Sequence, residues 1–222
     1  MNESNDPILS GRKLFYFPIL HTQVDLGSLK ISVQRAAVRK VGQRVWNRNL
    51  QLVDQLWLRI EREIERLALP CERVRLYQDG LAQCGHEREI VAELAGAGSP
   101  NHRLLLRLIE GGAALMGTES SQLLIQEHRL AKQWIARPSL PQRRNDPQQK
   151  ARRTLLDQRD AFIAQRINNT LRTGEIGILF LGMLHSLAHR LDPDIQVLYP
   201  GWLPAASRRK THDGSQGTDI NR

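Results

Sequence analysis

The sequence predicts an α/β fold, a single mixed, mainly parallel sheet flanked by helices. Three observations carry this. Two compact apolar runs, Leu14–Leu20 and Ile176–Leu184, have the length of buried strands and are bounded by polar or glycine residues. Val74–Gln78 alternates in polarity, as a half-buried strand does. Segments of helical periodicity separate these from two shorter strand candidates, and strands that alternate with helices pair in parallel.

The first run delivers His21. The segment Thr22-Gln-Val-Asp-Leu-Gly-Ser28 follows it, and Asp25 or Ser28 is expected to cap the next helix. Helical sequence then extends to about Leu69, with a break expected near Gly42 or Asn47-Arg-Asn49. Its second half repeats Val53, Leu56, Trp57, Ile60, Ile64 and Leu67 at three- and four-residue spacing, which predicts one apolar face. Pro70 ends it. Val74–Gln78 closes on Asp79-Gly80. Helices are expected over Glu87–Leu94 and Asn101–Glu110, the second stopped by Gly111-Gly112. Ala113–Met116 reads as a short buried strand with Glu119 just beyond its end. Ser120 or Ser121 is expected to cap a helix reaching about Ile135. Arg137–Arg153, rich in Pro, Gln, Asn and Arg, reads as a loop. Leu155 to about Leu171 is helical, with Leu156, Phe162, Ile163 and Ile167 on its apolar side. The second apolar run then delivers His185, a short helix surrounds Ala188, and Ile195–Tyr199 is the last strand. The expected organisation is one domain over residues 1–204 with a flexible basic insertion at 137–152, then a disordered tail at 205–222.

A chain of 222 residues with 41% hydrophobic and 25% charged residues can bury a substantial core. No window of about 18 apolar residues occurs, so no membrane span is expected. The start, Met1-Asn-Glu-Ser-Asn-Asp6, lacks the pattern of a secretory signal. Cys71 and Cys84 show no Cys-x-x-Cys spacing, and a cytoplasmic protein is expected, with one disulfide still compatible. The net charge of +9 is concentrated in the early helix, in residues 137–174 and in the tail. Such patches imply weak, nonspecific binding of polyanions, or simply a solvated surface. With 5% aromatic residues and no basic–aromatic interleaving, a stacking platform for single-stranded nucleic acid is not indicated.

His21 and His185 each lie just past a buried strand, where α/β sheets place ligands and chemistry. Two imidazoles and a carboxylate form a metal-ligand set with positions open to water, and imidazoles also serve as acid–base groups. Hydrogen bonding at strand ends is the plainer alternative. Glu119 is the candidate third ligand or general base, or else an acid favoured by the adjacent helix start. Asp79 and Gln78 end the second strand. Asp79 is a candidate substrate contact or a turn acid, and Gln78 a candidate to orient a substrate carbonyl. Thr22, Gln23 and Asp25 follow His21 and are expected near the same crevice, with Thr22 a candidate substrate contact. Arg159 is a candidate anion-binding group, and Asp160 its partner or that of a histidine. His86, His102, His128, His189 and His212 fit no ligand spacing with one another.

Gln158-Arg-Asp-Ala-Phe-Ile-Ala-Gln-Arg-Ile-Asn168, followed by a strand that ends Gly182-Met-Leu-His185, resembles the TraB/Tiki and erythromycin-esterase-like superfamily. Members carry a Gly-x-x-His after the first strand as well. Here that position reads Pro18-Ile-Leu-His21, without the glycine, and the acidic residue after the second strand is represented by Gln78-Asp79. The resemblance covers the layout of residues 13–200. It implies a hydrolase, in some members metal-dependent, acting on a small molecule or a peptide. On this chain His21, His185 and Glu119 would hold a divalent metal (Zn, Mn or Co), and Arg159 and Asp160 would steady substrate and ligands. The alternative is a non-catalytic binding or regulatory protein on the same fold, using its basic segments for an anionic partner.

Overall fold

β4 (Ile176–Gly182) organises the molecule, because no charged residue interrupts it and all seven of its residues are buried. A strand covered on both faces belongs in the interior of a parallel sheet. The computed structural model describes residues 11–22, 24–25, 27–136 and 147–203. Five strands pair in the order β3-β2-β4-β1-β5, where β1 is Arg12–Ile19, β2 is Val74–Gln78, β3 is Ala114–Met116 and β5 is Ile195–Leu198. Every pair is parallel. In register, Ile19 faces Gly182 across β1–β4, and Gln78 faces Phe180 across β2–β4. The sheet therefore brings the carboxyl ends of β1, β2, β3 and β4 to one edge, with β4 between β1 and β2.

The helices are α1 (Lys30–Val41), α2 (Gln43–Leu67), α3 (Glu87–Gly96), α4 (Pro100–Glu110), α5 (Ser121–Ala136) and α6 (Pro147–Thr170). One face of the sheet packs Phe17, Ile19, Leu76, Ile178 and Phe180 against Trp57, Ile60 and Ile64 of α2, Val91 of α3 and Leu104 and Leu105 of α4. The other packs Leu14, Tyr16, Tyr77, Leu179 and Leu181 against Ile163, Ala164 and Ile167 of α6. Full burial of each such side chain contributes roughly 1.5–3 kcal/mol, so both faces are strongly specified. Gly177 permits the second contact, since a Cβ there would lie 2.5 Å from Leu14 Cδ1.

The α/β class and the order of elements match the expectation. The break between the first two helices falls at Gly42, whose φ of 82° only glycine adopts readily. Several details differ. Residues 147–153, expected in the loop, open α6. Pro147 fits a first helical position, where its missing N–H is not needed, and Gln148-Gln-Lys-Ala-Arg-Arg153 are good helix formers. Residues 137–146 of the expected insertion, and the expected tail at 205–222, lie outside the described residues. β3 is an edge strand with no fully buried residue rather than a buried one. Neither Asp25 nor Ser28 caps α1, whose cap position is Leu29. A single turn of 3-10 helix, Gly27–Leu29, intervenes, and Asp25 is engaged elsewhere. Cys71 and Cys84 are both free. Among the described residues no helix is long and apolar enough to cross a membrane.

Candidate functional site

The centre of the strand-end edge is a carboxylate, Asp79. It follows β2 directly, and its own N–H extends the ladder to Phe180 O at 2.9 Å. That fixes the backbone and turns the side chain towards the end of β4. Oδ2 lies 3.1 Å from His21 Nε2, 2.8 Å from the Gly182 amide and 3.6 Å from His185 Nε2. Oδ1 accepts from Arg159 Nη2 at 2.7 Å. Both histidines thus meet one oxygen, so they share one pocket. Gly182 makes this possible: a Cβ there would stand 2.8 Å from Asp79 Oδ2.

α6 reaches the site with two consecutive residues. Arg159 turns towards β2 and β3. Its Nε and Nη2 bind Glu119 Oε2 and Oε1 at 2.7 and 2.5 Å, and Nη1 meets Glu127 Oε2 at 2.6 Å. Asp160 turns towards β4, where Oδ1 pairs with His185 Nδ1 at 2.5 Å and Oδ2 accepts from Ser186 N at 2.9 Å. Glu119 is fully buried, and its Oε1 also accepts from Gly80 N at 2.8 Å. Arg159 is 4% exposed, so its charge is compensated by protein carboxylates rather than by water.

A carboxylate accepts hydrogen bonds. His21 therefore carries its hydrogen on Nε2 towards Asp79, and His185 carries one on Nδ1 towards Asp160. Burial opposes the charged form of His21, but the hydrogen bond and charge of Asp79, with Asp25 nearby, outweigh it and raise its pKa. His185 is raised in the same way, burial being overcome by Asp160 and Asp79. Burial also works against the ionised form of Asp79, yet His21, His185 and Arg159 hold it far below the usual carboxylate range. Glu119 moves the other way. Burial and the Asp79 charge push it up, against the pull of Arg159.

These shifts set a sign for stability. A histidine raised on folding stabilises fully below its unfolded value of about 6.5, and that contribution is lost as pH rises through the folded value. A depressed carboxylate stabilises above about 3.9 and loses this as pH falls. The thermal midpoint is therefore expected to peak between about pH 4 and 6.5 and to decline above it. A scan from pH 4 to 9 at low salt tests this, and a midpoint that climbs above pH 6.5 would show that the histidines are held neutral.

His21, Asp79, Glu119, Arg159, Asp160 and His185 come together. Gln78 and Thr22 lie beside them but point inward. Gln78 is 1% exposed, and its Nε2 bonds to the Asp79 carbonyl at 3.0 Å. Thr22 is 7% exposed, and its hydroxyl finds no partner among the described residues. No family model, no curated protein and no solved structure matches this chain. A metal held by His21, His185 and Glu119 does not fit the arrangement, because both Glu119 oxygens are committed to Arg159 and one also to Gly80 N. Nor is any group of three His, Cys, Asp or Glu side chains disposed to hold a metal among the described residues.

Two features escaped sequence reasoning. Glu127 reaches Arg159 from α5, six residues after Ser121, where it reads as a helix-surface acid. Asp25 ties the loop after His21 to the start of α4, accepting from Thr22 N at 2.7 Å and from Ser99 Oγ at 2.9 Å. Ser99 in turn meets His102 Nδ1 at 2.8 Å. The Ser99-Pro100 pair, a common helix start, was the available signal.

Proposed function

We propose that this chain is a hydrolase in which His21 activates water at the carboxyl edge of the sheet. The observation that carries the reading is the setting of Asp79, a buried carboxylate that faces both imidazoles with one oxygen and is held by Arg159 through the other. Asp79 takes the Nε2 hydrogen of His21 and leaves Nδ1 to accept a proton. The His21 side chain is 39% exposed, so water reaches it. His185, buried between Asp160 and Asp79, steadies the carboxylate that orients His21. Arg159 holds Asp79 and Glu119 in place. The resemblance to the TraB/Tiki superfamily, carried by Arg159-Asp160 and Gly182-Met-Leu-His185, supports the same class of reaction.

In the step, the oxygen of water bonds to an acyl carbon and its proton passes to His21. The bond from that carbon to the leaving oxygen or nitrogen then breaks, and the proton passes on to the leaving group. General-base catalysis of this kind contributes on the order of 10²–10⁴-fold. His21→Asn is expected to lower hydrolysis of p-nitrophenyl esters at least a hundredfold, while the unfolding midpoint falls only modestly, by the one Asp79 hydrogen bond that the change removes. Wild-type rates should rise with pH through a midpoint raised from the ordinary histidine value of about 6.5 by the Asp79 carboxylate. Equal rates for the variant would remove His21 from the chemistry. Stoichiometric Zn, Mn or Co in purified protein, lost in His21→Asn, would replace this scheme with a metal-dependent one.

A second reading, a binding protein for an anionic partner, has one observation in its favour. Residues 26–53 contain no acid, and Lys30, Arg35, Arg39, Lys40, Arg44 and Arg48 are all exposed there. Salt-sensitive retention on heparin by a protein without esterase activity would favour it.

A further inference from the structure

The turn that carries His185 is built from residues that turns seldom use. His185 N donates to Gly182 O at 3.1 Å, so Met183 and Leu184 form the corner. Corners ordinarily hold Gly, Asn, Asp, Ser or Pro, which suit both the dihedrals and water. Here Met183 is 55% and Leu184 79% exposed. The β1–β4 register ends at Ile19 opposite Gly182, so Leu20 and Met183 are the first residues beyond the two paired strands. Leu20 is also exposed, and its carbonyl is held by Trp57 Nε1 at 3.3 Å. Three large apolar side chains thus stand in water directly before the two site histidines. Isolated exposed apolar residues are normal, but here both histidine-bearing segments present them at one edge.

We propose that Leu20, Met183 and Leu184 form the acyl-binding wall of the site, and that the substrate is an ester or amide whose acyl part is a hydrocarbon chain. This rests on the hydrolase reading above. Ligand sites pair an apolar wall with a few convergent polar groups, and His21, open to water and backed by Asp79, is the polar group here. The wall lies on the rim because the floor is occupied. Asp79, Glu119 and Arg159 are buried there and bonded to one another. The chain lies across the Met183–Leu184 corner while the carbonyl faces His21. Water supplies the oxygen and the proton, and the products are a carboxylic acid and an alcohol or amine.

The test uses the full chain and p-nitrophenyl acetate, butyrate and octanoate. The ratio kcat/KM is expected to rise about two- to fourfold per added methylene, from the area each removes from water. Leu184→Asn and Met183→Gln are expected to flatten that dependence. Leu52→Asn, which replaces an exposed leucine on α2, should leave it intact. A flat dependence in the wild type, or an unaltered one in Leu184→Asn, would overturn the proposal. A binding arm separates this inference from the hydrolase reading: octanoate is compared with acetate through the imidazole NMR signals of His21 and His185. Shifts with octanoate alone, lost in Leu184→Asn, support the wall even if no ester is turned over, and then the hydrolase reading fails. Esters hydrolysed without any octanoate effect overturn the wall alone. A dimer that dissociates on Leu184→Asn makes the corner a subunit contact and also overturns it.

Discussion

Arg159→Leu is expected to lower the free energy of unfolding by about 3–5 kcal/mol, the usual cost of leaving a buried charge without its partner. The arginine is the common counterion of Asp79, Glu119 and Glu127, and two of those carboxylates are almost fully buried. Leucine fills much of the volume but leaves Asp79 and Glu119 facing each other. One of them must then take up a proton or draw in water. Adding Glu119→Gln to Arg159→Leu is expected to recover part of the loss, because it removes one stranded charge. Denaturant unfolding of the single and double variants measures the coupling. A loss under about 1 kcal/mol for Arg159→Leu would mean that the cluster is solvated and that its charges are screened.

Gly182→Ala is expected to reduce any activity of the site at least a hundredfold while costing about 1–3 kcal/mol of stability, as overpacking does. The added methyl would meet Asp79 Oδ2 at 2.8 Å, with His185 Cδ2 and His21 Nε2 at 3.6 and 3.7 Å. β4 is held by neighbours on both sides and cannot retreat, so the carboxylate must move. It would then lose the Gly182 amide and the geometry that orients His21. Histidine NMR signals in the variant report this directly. Unchanged His21 and His185 signals would show that the carboxylate does not depend on close approach at Gly182.

The strands were legible because their apolar runs are short, bounded and dense. The strand-end histidines were legible for the same reason. Asp79 was harder to see, since Asp followed by Gly is what a surface turn looks like. Its central place comes from β4 inserting between β1 and β2, and no local pattern encodes strand order. Arg159 in a polar stretch of helix resembles a surface residue. Its burial depends on carboxylates supplied from the ends of two other strands. The start of α6 was hidden by proline and glutamine, which suit a loop and a first helical turn equally well.

That strand order also dictates when the molecule can become itself. β1 and β2 emerge early during synthesis, but neither is the other's partner, because the strand between them is residues 176–182. Until β4 arrives, both present unpaired, strongly apolar edges. His21, Asp79, Glu119, Arg159 and Asp160 are already in the chain by then, with nothing to gather them. Such long-range closure slows folding and prolongs the exposure of aggregation-prone intermediates. A nascent chain stalled before Ile176 is therefore a client for chaperones rather than a partly built domain, and the site forms in one late event when the central strand docks.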